Sequence, residues 1–183
     1  MSMPRKLLIK TNAFPYHVYN RLLDQKFYPE KLMPRVWEIY CDAARVLTWA
    51  FGVQIQMMVL MSSHYHLLLQ TPDENIADSM LYFQREISRR VTALLGSQDF
   101  RFGARYKWTL VENPVQYENT YRYIANNPVE EGLCVAPALY PFSSLAGIYG
   151  NEIHRCPTYP CCQFSALVPD NLEDLEEWME VRG

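Results

Sequence analysis

Two apolar runs on either side of a Ser-Ser pair set the first limit on the fold. Val53, Ile55, Met57 and Val59 alternate with Gln54, Gln56 and Met58, the period-two pattern of a strand. Ser62-Ser63 makes a tight turn, His64 to Gln70 supplies a second strand, and Thr71-Pro72-Asp73 ends the hairpin. A helix flanks the hairpin on each side. Upstream, Glu30 to Ala50 carries Val36, Ile39, Tyr40, Ala43, Ala44 and Leu47 at helical spacing until Gly52 breaks the pattern. Downstream, Asn75 to Leu95 repeats Ile76, Met80, Phe83, Ile87, Val91 and Leu94 every three or four residues, and Gly96 closes it. A strand-like stretch around His17-Val18-Tyr19 comes before these elements, and a short strand, Trp108 to Val111, comes after them. Strands split by helices around an antiparallel hairpin predict an α+β, ferredoxin-like sandwich: an antiparallel sheet with helices packed on it.

Asn113 and Pro114 have the chemistry of an N-cap and a first helical residue. That helix is predicted to stop near Asn126, because Pro128 disfavours helical geometry at the residue before it. Beyond Pro137 the chain is irregular and rich in Tyr, Pro and Ser, with a short acidic helix predicted over Asp170 to Val181. The 183 residues therefore divide into a domain over 1–150 and an acidic tail over 151–183. Hydrophobic residues at 49% and charged residues at 20% exclude a mostly disordered chain. No apolar run approaches the roughly 20 residues that span a bilayer, and Met1 to Lys10 lacks a secretory h-region. A soluble cytoplasmic protein with no membrane partner is the expectation. Its five cysteines are then expected as thiols. His154, Cys156, Cys161 and Cys162 cluster near the end, but adjacent Cys161 and Cys162 do not fit zinc-ligand spacing.

A net charge of −3 argues mildly against a nucleic-acid partner, yet the charge is uneven. Residues 151–183 carry −5, leaving +2 for residues 1–150. Between Gln84 and Lys107, the bases Arg85, Arg89, Arg90, Arg101, Arg105 and Lys107 outweigh Glu86 and Asp99 by four. This stretch is either a solvated face or a docking face for a polyanion. An acidic tail folding over it would compete with such a partner.

Alternation on a strand puts His64 and His66 on one face, with Tyr65 and Leu67 on the other. Such a pair is often structural, but it also suits one divalent ion shared through ring nitrogens. Tyr123 and Asn127 stand four apart on a helix, hence on one side of it. Asn127 offers an oxygen that can complete a metal site, and Tyr123 a phenolic oxygen that can act as nucleophile. Tyr121 is a rival, but it lies about 200° around the helix from Tyr123.

Taken in order, these stretches resemble the HUH single-tyrosine transposases, above all the REP-associated tyrosine transposases and related insertion-sequence transposases. Tyr16 to Arg21 resembles the first strand of that family, and Val59 to Leu69 its metal-binding strand. Phe102 to Lys107 resembles the segment after the long helix, and Tyr121 to Leu133 the tyrosine helix and its exit. Tyr140-Pro141-Phe142-Ser143-Ser144-Leu145 resembles the closing block. The likeness covers about residues 12–150.

The resemblance implies a ferredoxin-like fold, a site of His64, His66 and Asn127 binding Mg²⁺ or Mn²⁺, and Tyr123 as the nucleophile. It implies cleavage of single-stranded DNA beside a hairpin, leaving a 5′-phosphotyrosine and a free 3′-hydroxyl, and a possible homodimer. Arg85, Arg89, Arg90, Arg101, Arg105 and Lys107 become candidate DNA contacts. Tyr106 and Trp108 become candidate stacking platforms, with core packing the other reading for Trp108. Three positions depart from the family pattern. Ser63 stands where relatives often carry Asn, Glu130-Glu131 where they often carry Arg-Ala, and Phe142 where Trp is usual. The two acids favour an alternative, a hairpin-binding protein of the same ancestry without cleavage. A metal-dependent enzyme acting on small phosphate substrates is a third reading.

Overall fold

A computed structural model describes residues 7–97, 100–148, 156–159, 164–169 and 171–180. Its elements are β1 (Tyr16–Arg21), α1 (Met33–Phe51), β2 (Gln54–Leu60), β3 (His64–Gln70), α2 (Ile76–Leu95) and β4 (Lys107–Leu110), then α3 (Pro114–Glu130), a short α4 (Ser144–Ile148) and α5 (Leu172–Glu180). The strands form one sheet in the order β2-β3-β1-β4, with every neighbouring pair antiparallel. The order of elements and of strands is that of the ferredoxin-like sandwich, as the sequence predicts.

Both faces of the sheet are covered. On one face lie α1 and α2, packed over Val18, Ile55, Met58, Leu60, Tyr65, Leu67 and Leu69. The centre of that layer is aromatic: Tyr40 meets Tyr65 and Phe83 edge-on, at 5.7 and 5.8 Å between ring centres. The Tyr65 hydroxyl accepts from Gln84 of α2 at 3.1 Å, so its one polar atom is not left bare. On the other face Met57, Val59, Met61 and Leu68 pack under Tyr117, Tyr121, Ile124 and Ala125 of α3. Leu175 and Met179 of α5 and the nearby Phe164 join this second layer.

Burial on both faces explains a departure from the expected alternation in β2. Ile55 pairs with Leu69 and Met57 with Leu68, so Gln56 is the extra residue of a bulge. Met57 and Val59 consequently point to the α3 layer, while Ile55 points to the α1–α2 layer. Gln54 and Gln56 suggest one polar face in the sequence, but a strand buried on both sides has no solvent face to enforce that phase.

β2 is an edge strand, and the block that closes the domain protects it. Leu60 donates to the Phe142 carbonyl at 2.9 Å, and its own carbonyl accepts from the Tyr140 hydroxyl at 2.9 Å. Met58 N–H donates to Ser144 Oγ at 3.0 Å.

α3 also runs further than predicted, continuing through Pro128 to Glu130. Ile124, Ala125, Asn127 and Pro128 are all buried, and that packing outweighs the local preference of the residue before proline. Gly132, at φ 70°, then reverses the chain.

Candidate active site

β1 and β3 lie side by side at the centre of the sheet, with Tyr19 opposite His66 and Arg21 opposite His64. Paired residues share a face, so His17, Tyr19 and Arg21 of β1 project to the same side as His64 and His66 of β3. This is the α3 side. Tyr123 and Asn127, one turn apart on α3, descend onto the histidines. The Tyr123 ring stands edge-on to His66 at 5.6 Å and to His17 at 5.9 Å. The His64 and His66 rings are 5.1 Å apart and nearly perpendicular. The structure therefore brings together all four residues singled out on the strand and helix: His64, His66, Tyr123 and Asn127.

Burial differs sharply among them. His64, His66 and Asn127 are 5%, 3% and 8% exposed, whereas Tyr123 is 49% exposed. The floor of the site is buried, and the phenol stands half-exposed at its rim. Asn127 is anchored by its own helix, its Nδ2 donating to the Tyr123 carbonyl at 2.8 Å. The Ser63 hydroxyl contacts His64 Nδ1 at 3.0 Å, taking up one ring nitrogen.

Sequence reasoning missed two members. His17 Nε2 lies 2.9 Å from His66 Nδ1, the two rings stacked at 5.1 Å. Arg21 sits directly opposite His64. The signal was available: His17, Tyr19 and Arg21 alternate just as His64 and His66 do.

Electrostatics keep the imidazoles neutral. Burial, then the charges of His17, His64 and Arg21, pulls His66 down to about 2. Burial pulls His17 down to about 4. Burial and then Arg21 lower His64, while Glu131 and Asn127 pull it upward. Near neutral pH the rings therefore carry lone pairs rather than charges. The Glu131 carboxylate, which the sequence flagged as a departure, is within electrostatic reach of His64.

The donor chemistry fits a divalent cation. His66 Nε2 is buried with no hydrogen-bond partner, although buried polar nitrogens are nearly always paired. His64 and Asn127 flank it with a second nitrogen and an amide oxygen. Two histidines and an asparagine are the whole set: among the described residues no group of three His, Cys, Asp or Glu side chains is placed to hold a metal.

The six basic candidates do not share one face. Arg89 pairs with Glu86 at 2.7 Å on α2, and Arg90 reaches across to Asp42 of α1 at 2.8 Å. Arg85, Arg89, Arg101 and Arg105 line an open groove of about 1140 Å³ between α2 and the loop before β4, away from the histidine face. Lys107 alone turns to that face, its Nζ 5.6 Å from the centre of the Tyr19 ring. A smaller hollow of about 490 Å³ shares Arg105 with the groove and Tyr19 and Lys107 with the site edge. Tyr106 is buried, and Trp108 packs against the α1–α2 core edge-on to Tyr16, so core packing rather than base stacking describes both.

Among the described residues, none of the tail lines the basic groove. α5 packs on α3 through Tyr121, which meets Trp178 at 5.8 Å, and through Arg122. Cys156 is a buried free thiol whose pKa is raised by burial and by its neighbour Cys41. His154, Cys161 and Cys162 lie outside the described residues.

No protein-family model and no curated protein matches the sequence. Solved structures do match. A REP-associated tyrosine transposase bound to a REP hairpin superposes with a TM-score of 0.65 at 20% identity, over 85% of this chain and 90% of that one. The chain shares the fold of that transposase. A second structure, a provisionally named transposase from Deinococcus radiodurans R1, aligns at 18% identity with a TM-score of 0.45, over 69% of this chain and 97% of that one. Among the described residues no helix is long and apolar enough to cross a membrane.

Proposed function

We propose that this chain is a metal-dependent nuclease and strand transferase that cuts single-stranded DNA beside a hairpin through Tyr123. The observation that carries the reading is the descent of Tyr123 and Asn127 onto His64 and His66, with His66 Nε2 unpartnered at the floor. The fold shared with a transposase that binds a REP hairpin supports the choice of substrate.

His64, His66 and Asn127 would hold Mg²⁺ or Mn²⁺, which supplies Lewis-acid stabilisation of the charge that develops on a scissile phosphate. Neutral imidazoles suit that task, since a protonated ring has no lone pair to give. Tyr123 is exposed enough to meet a phosphodiester at the rim. Its oxygen forms the new bond to phosphorus as its proton leaves, and the bond from phosphorus to the 3′ oxygen breaks. A 5′-phosphotyrosine and a 3′-hydroxyl result, and the phosphodiester energy is kept for rejoining. Arg21 and Lys107 present positive charge on the same face to the DNA backbone. Arg85, Arg101 and Arg105, lining the groove beside α2, would offer positive charge to phosphates of the hairpin stem.

A second reading, hairpin binding without cleavage, is favoured by Glu131, whose carboxylate opposes a phosphate near His64. One experiment separates the two. Hairpin-bearing single-stranded DNA from the flanks of the gene is incubated with Mn²⁺ and wild type or Tyr123→Phe, then run on a denaturing gel. A protease-sensitive adduct absent from Tyr123→Phe supports the nuclease. Intact hairpin binding with no adduct supports the binding protein.

A further inference from the structure

The contact between His17 and His66 contains one proton and two ways to place it. Both rings are neutral, and they meet through His17 Nε2 and His66 Nδ1 at 2.9 Å. If His17 donates, His66 accepts at Nδ1 and must carry its own proton at Nε2. That proton would then be turned to Asn127, whose side chain is within hydrogen-bonding reach of the His66 ring, and neither group could serve a cation. If His66 donates from Nδ1, its Nε2 lone pair and the Asn127 oxygen are both left for a cation, so the metal-site reading requires the second arrangement.

We propose that His17 is a positioning residue: its Nε2 accepts the Nδ1 proton of His66 and so presents His66 Nε2 as a lone pair for a divalent cation. Ser63 is placed to do the same for His64: its hydroxyl lies 3.0 Å from Nδ1 and can accept there, which turns Nε2 to the Asn127 side of the ring. Each metal-facing imidazole thus has a neighbour that fixes its tautomer and its ring orientation, the usual task of an outer-shell partner. Here one partner is a third imidazole from the adjacent strand, stacked on Tyr19 at 5.4 Å and held in plane by it.

The inference rests on the metal-site reading under Proposed function, and its test separates the two. Long-range proton–nitrogen correlation on metal-free, ¹⁵N-histidine-labelled wild type at about pH 7 reads the tautomers directly. His66 is expected in the Nδ1–H form and His17 in the form whose Nε2 accepts. Mn²⁺ titration, followed by the spin-resonance signal of the free ion, is expected to show a 10–100-fold weaker site in His17→Phe. His17→Gln, whose side-chain oxygen can accept in place of Nε2, is expected to bind close to wild type. Should His17→Phe not fold, the wild-type tautomer and His17→Gln still decide the matter. An Nε2–H tautomer at His66 in the wild type, or unchanged Mn²⁺ affinity in His17→Phe, overturns the proposal. Wild type that binds no Mn²⁺ while His66 is in the Nδ1–H form overturns the metal site, and the positioning role with it, but leaves the hydrogen bond assigned.

Discussion

The guanidinium of Arg122 lies 4.2 Å from the centre of the Trp178 ring, and its Nε donates to the Trp178 carbonyl at 3.0 Å. Arg122 is the residue before Tyr123. The acidic C-terminal helix is therefore fastened to the helix that carries Tyr123 and Asn127, and it leaves the basic groove open. In this arrangement it packs against α3 through Tyr121 and Arg122.

Trp178→Ala should separate packing on α3 from competition with DNA. The cation–π contact and the stacked apolar area together are worth about 2 kcal/mol at a partly buried site. Urea unfolding should show a loss of that order. Adduct formation by Tyr123 should slow, because α3 is less firmly placed, while hairpin affinity stays near wild type. A gain in hairpin affinity would instead mean that the tail does compete with DNA.

Arg21 and Arg90 make a matched pair of tests. Arg21 faces the histidines from β1, and among the described residues it pairs with no carboxylate. Arg90 is committed to Asp42 in an ion pair whose side chains are 31% and 44% exposed. Arg21→Gln should weaken binding of single-stranded DNA regardless of sequence and lower the salt slope by about one. Arg90→Gln should leave that slope unchanged and cost about 0–1 kcal/mol of stability. Equal slopes in both variants would remove Arg21 from the DNA path.

Much of this was legible because the site obeys simple periods. His64 and His66 follow the strand repeat, Tyr123 and Asn127 the helical one, and α1 and α2 announce themselves by amphipathic spacing. Other features were not legible, for physical reasons. The bulge at Gln56 left no trace in the sequence, since the alternation begun by Gln54 and Gln56 runs on unbroken through Met57 and Val59 while β2 is buried toward both layers. The run of α3 past Pro128 is a tertiary effect of burying Ile124, Ala125 and Asn127. The basic residues of 85–107 read as one cluster, but α2 and the following loop turn them to different neighbours, and only Lys107 meets the histidine face.

Tyr140 ties the closing block to the edge strand by donating to the Leu60 carbonyl from a buried hydroxyl. Tyr140→Phe keeps the ring and leaves that carbonyl one donor short. The cost should be about 1–2 kcal/mol, with the Met58 and Leu60 amides exchanging faster in deuterated water than those of β1. Uniform acceleration across the sheet would mean that the edge does not open on its own.

The buried imidazoles should make the metal-free protein sensitive to mild acid. An unfolded histidine titrates near 6.5, whereas His17 is held at about 4 and His66 at about 2. Between those values the unfolded chain binds protons that the folded one refuses. The stability contributed by neutral burial is therefore complete above about pH 6.5 and drains away as the pH falls through 6 toward 4. Each such group contributes a slope of about 1.4 kcal/mol per pH unit across its window. Unfolding free energies from urea titrations at steps across that range should fall steeply for wild type. His17→Gln removes one titrating ring and eases the repulsion on His66, so its slope should be shallower. Superimposable slopes would mean that the rings reach solvent, and that the floor of the site is wetter than its burial implies.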